Sequence, residues 1–294
     1  MKKTLLTALK VIVPVGFGIL LVWWVYKHLA PEEKEHLFKA FGQADYMWIL
    51  ISIILGILSH LSRAYRWKFL LEPLGLKPKF WNSFFAVMIG YGMNLLLPRV
   101  GEVTRCGVMG RYNKMPFDKL FGTVVAERVA DMSILLSLIA AVIISQFYVL
   151  RDTIAGMLND NPVGEHLKTV SIVSIAVIVV LFPALFLFLK KSQHTIAEKI
   201  RNIIRGFVDG LLSIFRMKNS GLFIMHTLMI WVLYLGMFYI CFFSLQGTAS
   251  TPFPGVMAAF VIGGLSIVLV QGGIGVYPAA VMGTLVLYGV AAGT

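Results

Sequence analysis

Residues 219–294 contain no Asp, Glu, Lys or Arg. A run of 76 residues without a charge has nothing to offer bulk water, which excludes a soluble domain there and leaves the bilayer as its solvent. Charge is scarce everywhere: charged residues make up 14% of the 294, against 58% hydrophobic, with a mean hydropathy of +0.83. Soluble domains carry about 25%. Cysteine is nearly absent. Cys106 and Cys241 lie 135 positions apart inside apolar stretches, so neither a disulfide framework nor a thiolate metal site is expected. No nucleophile constellation, phosphate loop or metal-ligand spacing is present either. The expectation is therefore a non-enzyme with no catalytic residue, no metal and no cofactor.

The charge that is present is lopsided, with 26 Lys and Arg against 14 Asp and Glu. The basic residues sit in short connections between apolar runs, which points to an anionic lipid surface and not to nucleic acid.

The stretch 81–110, WNSFFAVMIGYGMNLLLPRVGEVTRCGVMG, begins as a span and breaks. Residues 81–97 would give about 25 Å of helix, short of a hydrocarbon core of roughly 30 Å. Pro98 ends it, because proline lacks a backbone donor and disfavours helix in the residue before it. Arg99, Glu102 and Arg105 follow three apart, along one side of any helix that resumes. A charge at the bilayer centre costs about 3 kcal/mol on insertion scales, so such a row faces a bundle interior or a water-filled cavity. Arg111, Lys114 and Lys119 make the exit as basic as the entry, which favours a re-entrant hairpin returning to the cytoplasmic side over a simple crossing.

In chain order, a basic start precedes a first span over 5–26, with no A-x-A site after it, so a span is preferred to a cleaved signal. The amino terminus is expected in the cytoplasm. Residues 27–45 form an outer connection, 47–61 return inward, and Arg63, Arg66, Lys68, Lys77 and Lys79 make a basic cytoplasmic stretch. The helix over 117–150 carries Glu127, Arg128 and Asp131. Glu127 and Asp131 share a face, where two ionised carboxylates repel, so a nearby arginine or a shifted pKa is expected to compensate. They are either an interfacial first turn among headgroups or the wall of a site. After an outer loop, 170–189 brings the chain back, and 194–216 reads as a basic amphipathic helix on the membrane surface.

The last apolar stretch, 255–293, is interrupted by Gln271, Gly272, Gly273, Gly275 and Pro278. At an offset of 173, Ile89-Gly90 meets Ile262-Gly263 and Val108-Met109-Gly110 meets Val281-Met282-Gly283. The same offset carries 47–61 onto 220–234, of opposite expected direction, which is the pattern of an inverted repeat with broken helices at a shared site. The expected fold class is an all-α polytopic membrane protein with about five full transmembrane helices and two re-entrant or broken hairpins. Its expected parts are a first half over 1–189 with a hairpin at about 81–110, a basic linker over 190–218, and a second half over 219–294 broken within 255–293. Either the chain is shortened at its carboxyl end or the second half lacks a final helix.

The runs MNLLLPRVGEVTR, VVAERVADM and GGIGV resemble the bacterial flippase-like family named for the lysylphosphatidylglycerol synthase transmembrane region, over roughly 48–287. The resemblance implies an inner-membrane protein with paired re-entrant helices, whose motif residues fall on Asn94, Pro98, Arg99, Gly101, Glu102 and Arg105, then Glu127 and Arg128 with Asp131 behind. Many members have proline before the paired glycines and an acid after them, where this chain has Gln271 and Tyr277-Pro278, so a second headgroup carboxylate does not carry over. Lipid-modifying members carry a soluble synthase domain after the membrane part, and none is expected from these residues.

The leading reading is a transporter or flippase for a phospholipid or another lipid-linked amphipath. Arg99, Arg105 and Arg128 would hold phosphate oxygens, while Glu102, Glu127 and Asp131 balance them, receive an ammonium or exchange a proton. Asn94 joins them as a binding residue, and Pro98, Gly101, Gln271, Gly272, Gly273, Gly275 and Pro278 shape the breaks. Against it stand two alternatives: Glu102 with Arg105, and Arg128 with an acid, as pairs that only fasten helices, or a membrane subunit that recruits a lipid or glycan enzyme. Membrane lipid is the expected partner, nucleic acid is not, and homo-oligomerisation is left open.

Overall fold

In a computed structural model of the chain, the described residues are 39–96, 100–146, 210–269 and 275–290, with Trp23, Tyr26, Lys27, Glu198, Arg205 and Val208. The expected spans over 5–26 and 170–189, nearly all of the amphipathic helix before residue 210, and the breaks at Pro98, Arg99, Gln271, Gly272 and Gly273 lie outside them. The chain forms two compact units. One is Met1–Ile139 with Met217–Thr294; the other is Ala140–Arg216, where Ile214 is buried and the Ser213 hydroxyl donates to the Gly210 carbonyl.

Helix α1, Tyr46–Leu71, starts at Asp45, whose carboxylate accepts the Met47 N–H at 3.0 Å. Its 26 residues extend about 39 Å. It stops where Pro73 enters a 3-10 turn, Glu72–Leu74, closed by Gly75 at φ 75°. The span does not end at residue 61 with Arg63 and Arg66 in a solvated stretch: the helix runs on, and both arginines are buried. No proline or glycine separates Gly56 from Pro73, and Ser59, Ser62, Arg63, Arg66, Trp67 and Leu70 recur at helical spacing on the buried face. Lys77 and Lys79, beyond the turn, are exposed.

Helices α2, Phe80–Leu96, and α3, Val100–Asn113, form an antiparallel hairpin. At its base the Asn82 amide donates to the Asn113 side-chain oxygen at 2.7 Å. Further up, a Cβ on Gly101 would run into the Gly90 carbonyl, so the limbs touch only because both residues lack one. Helix α4, Phe117–Ser145, buries Thr123, Val124, Glu127, Ala130 and Asp131 along one face.

Helix α5, Ser220–Cys241, lies antiparallel to α1. The Asp45 N–H donates to the Ser244 carbonyl at 2.8 Å and the Ser52 hydroxyl to the Met237 carbonyl at 2.9 Å. After a short helix α6, Gln246–Ala249, come α7, Phe253–Leu269, and α8, Val276–Val286. These form a second hairpin, in which Gly263 faces Tyr277 and Val281 and Gly255 faces Tyr288. Gly275 precedes α8 at φ 77°, a left-handed conformation that glycine reaches without strain.

The two hairpins correspond closely. Shifted by 173, α2 coincides with α7 at both ends, and Ser83, Ala86 and Gly90 fall on Val256, Ala259 and Gly263, all buried. Their bases lie at opposite ends of the α1–α5 pair. Phe80 packs on Tyr65 near the end of α1 (6.4 Å), whereas Phe253 packs on Tyr239 at the end of α5 (5.7 Å), where α1 begins. Among the described residues, Tyr46–Leu74, Phe117–Ser145 and Ser220–Ser244 are long and apolar enough to cross a membrane.

Candidate functional site

The polar residues of the buried face of α1 meet those of α4 in one ion-pair network. Arg63 contacts Glu127 at 3.0 Å and Asp131 at 2.7 Å; Arg66 contacts the same two carboxylates at 2.8 and 2.9 Å. The carboxylates stand one helical turn apart on α4 and would repel if alone, and the two guanidiniums, three residues apart on α1, span both. Arg105 of α3 adds a third cation at 2.9 Å from Glu127. Neutral groups complete the shell. Arg66 donates to the Thr227 hydroxyl at 2.9 Å, Arg63 to the Tyr234 hydroxyl at 3.3 Å, and that hydroxyl lies 3.3 Å from the Tyr91 hydroxyl. The network thus ties α1, α3, α4 and α5 together. Desolvated charges of this kind are tolerated only when paired with opposite charge.

Arg105 differs from the other two. Its guanidinium lies 3.7 Å over the Trp67 ring, which is fixed from behind by an indole N–H donated to the Thr123 hydroxyl at 2.8 Å. Stacking and one carboxylate leave Nε and Nη2 buried without a hydrogen-bond partner. Arg105 also forms part of the wall of a small open cavity of about 40 Å³, with Gly90, Tyr91, Asn94, Glu102 and Arg128.

Asn94 joins the two limbs of the first hairpin. Its side-chain oxygen accepts the Gly101 N–H at 2.8 Å, capping the start of α3 from the preceding helix, and its amide lies 3.4 Å from Glu102. The pairing expected between Glu102 and Arg105 does not occur, because Arg105 turns to Glu127. Arg128 reaches Asp131 only at 3.9 Å, with its side chain 44% exposed. So Asn94, Glu102, Arg105 and Arg128 share the cavity, Glu127 and Asp131 lie behind it, and Gly101 forms the pinch. Gly275 and Pro278 belong to the other hairpin. Among the described residues no part of α7 or α8 lines the cavity, and Pro278 is exposed in the first turn of α8.

Sequence reasoning missed Arg63, Arg66, Trp67, Tyr91, Thr227 and Tyr234. A signal for the first three existed. The unbroken helical spacing from Ser59 to Leu70 marks a face that continues through the arginines, although their charge reads as the end of a span. Nothing local in α5 distinguishes Thr227 or Tyr234 from packing residues.

Long apolar helices enclosing a desolvated ion-pair network define a multi-pass α-helical membrane protein. By sequence the chain belongs to the family described as the lysylphosphatidylglycerol synthase TM region, whose profile matches residues 11–294. It is 28% identical over 139 residues to UPF0104 membrane protein MJ1595 of Methanocaldococcus jannaschii, covering 46% of this chain and 40% of that one. It is 29% identical over 136 residues to UPF0104 membrane protein PH1989 of Pyrococcus horikoshii, covering 45% and 37%. The matches thus span about two fifths of the length of these curated relatives. No solved structure matches.

Proposed function

We propose that the protein is a transporter or flippase that moves a phospholipid, or another lipid-linked amphipath, across the cytoplasmic membrane, without enzymatic chemistry of its own. The observation that carries this reading is the cavity between the limbs of the first hairpin, backed by a buried network and flanked by Arg105, Arg128 and Glu102. A purely fastening guanidinium spends both terminal nitrogens, as Arg63 and Arg66 do, whereas Arg105 leaves Nη2 as well as Nε without a partner.

The hairpins support alternating access. At 17 and 14 residues, α2 and α3 extend about 25 and 21 Å, too short to cross roughly 30 Å of hydrocarbon, as expected for a re-entrant pair. The shared boundaries of α2 and α7, the antiparallel course of α1 and α5, and hairpin bases at opposite ends of that pair fit an inverted repeat. In this reading the amino terminus and the first hairpin's base face the cytoplasm, with basic segments against anionic lipid and the lipid headgroup as partner. The test is leaflet exchange of fluorescent phospholipids in liposomes holding the purified protein, compared with Glu102→Gln and Arg105→Ala. Exchange lost in both variants supports the proposal; no exchange over headgroups of every charge overturns it.

A further inference from the structure

Resting on that reading, we infer that the first hairpin's cavity is an anion subsite for a phosphoryl group whose ligand carries a net negative charge, with the free edge of Arg105 as its anchor. Among the described residues the buried network holds three guanidiniums, Arg63, Arg66 and Arg105, and two carboxylates, Glu127 and Asp131. Guanidinium does not give up its proton, so one positive charge stays uncompensated where desolvation costs several kcal/mol per ion, and counting Arg128 and Glu102 of the cavity wall as well leaves the same surplus of one. An anion is the remaining way to balance it.

The position of that anion follows from the hydrogen bonds. Arg63 and Arg66 each leave only Nε unpartnered and spend both terminal nitrogens on Glu127, Asp131, Tyr234 or Thr227. Arg105, whose side chain is only 5% exposed, leaves Nε and Nη2 together, the adjacent pair that a tetrahedral oxyanion accepts in a two-point contact. Of the three it alone reaches the cavity wall. The start of α3 lies in the same wall at Gly101 and Glu102, and the half-exposed Arg128 offers a second cation toward the opening.

Net charge decides between headgroups. Glu127 is held by three arginines and Asp131 by two, so neither is available to a ligand's ammonium. Glu102 remains, with Asn94 beside it, and reads a hydroxyl next to the phosphoryl group. A phosphodiester bearing neutral hydroxyls matches one surplus positive charge, whereas a phosphate–ammonium zwitterion leaves the surplus in place.

The test uses the full chain in neutral detergent, with three short-chain diacyl probes differing only in headgroup: phosphoglycerol, phosphoethanolamine and phosphocholine. Inorganic phosphate and glycerol phosphate are the soluble probes. The expected result is binding of the phosphoglycerol probe at least tenfold tighter than either zwitterion, lost in Arg105→Gln and weakened in Arg128→Gln, whose exposed site spares the fold. Equal or tighter binding of the zwitterions overturns the net-charge inference while leaving lipid transport standing. Soluble phosphates binding as tightly as the lipid, with the same Arg105 dependence, support the anion subsite but overturn the lipid reading. Binding of every probe unchanged in Arg105→Gln and Arg128→Gln overturns the subsite itself.

Discussion

The two helical hairpins share a backbone plan and differ in chemistry. α2 and α7 are both 17 residues long, each with a buried glycine in the same place, Gly90 and Gly263, where the opposite limb closes in. In the first hairpin the closing limb brings Gly101, Glu102 and Arg105. In the second it brings Tyr277 and Val281. The first is thus tied by a capping amide and an ion-pair network, the second by Phe242, Val256, Ala259 and Leu285 packed as a dry core. A hairpin can be closed by apolar contact alone, so the polar residues of the first are not needed to make the shape.

The sharpest way to break this comparison is Glu127→Gln. Three arginines lose a shared carboxylate, and breaking a buried pair costs about 3–5 kcal/mol, so a steep fall in melting temperature or in folded yield is expected. A melt within a few degrees of wild type would mean that the network is not structurally required. Next come the glycines. Gly101→Ala drives a methyl into the Gly90 carbonyl and the Asn94 side chain, an overpacking expected to cost about 1–3 kcal/mol or more. Gly263→Ala meets only the Tyr277 ring and a Val281 methyl, which can shift, so the first hairpin should suffer more by thermal denaturation. Equal losses would remove that distinction.

Smaller effects sharpen it. Asn94→Ala removes the cap of α3 and should cost about 1 kcal/mol, with faster amide exchange at Gly101 as its local signature. Unchanged exchange there would argue against the cap. Least affected should be Thr284→Val in the second hairpin. Its hydroxyl only donates back to the Ala280 carbonyl within the helix, and the apolar replacement keeps its shape, so a change below about 0.5 kcal/mol is expected. A large loss would reveal a polar role in the hairpin taken here as dry.

Much of this was readable from the chain. The apolar runs and the offset of 173 marked out the helices Phe80–Leu96 and Phe253–Leu269, since periodicity acts locally. That Glu127 and Asp131 need compensation, by an arginine or by a shifted pKa, also follows from their spacing alone. Which arginine answers does not. Glu102 is three residues from Arg105, yet Arg105 pairs with Glu127, and Asp131 takes Arg63 and Arg66 from a helix more than 60 positions away.

Sequence by itself thus determined the solvent, the helices and the stock of charged groups, because each depends on local composition and spacing. Tertiary structure alone decided that Arg63 and Arg66 are interior, that Asn94 caps a helix it does not belong to, and that Arg105 keeps two buried donors without a partner. Pairing and burial depend on which helix faces pack together, and that choice is made across the whole bundle rather than along any one segment.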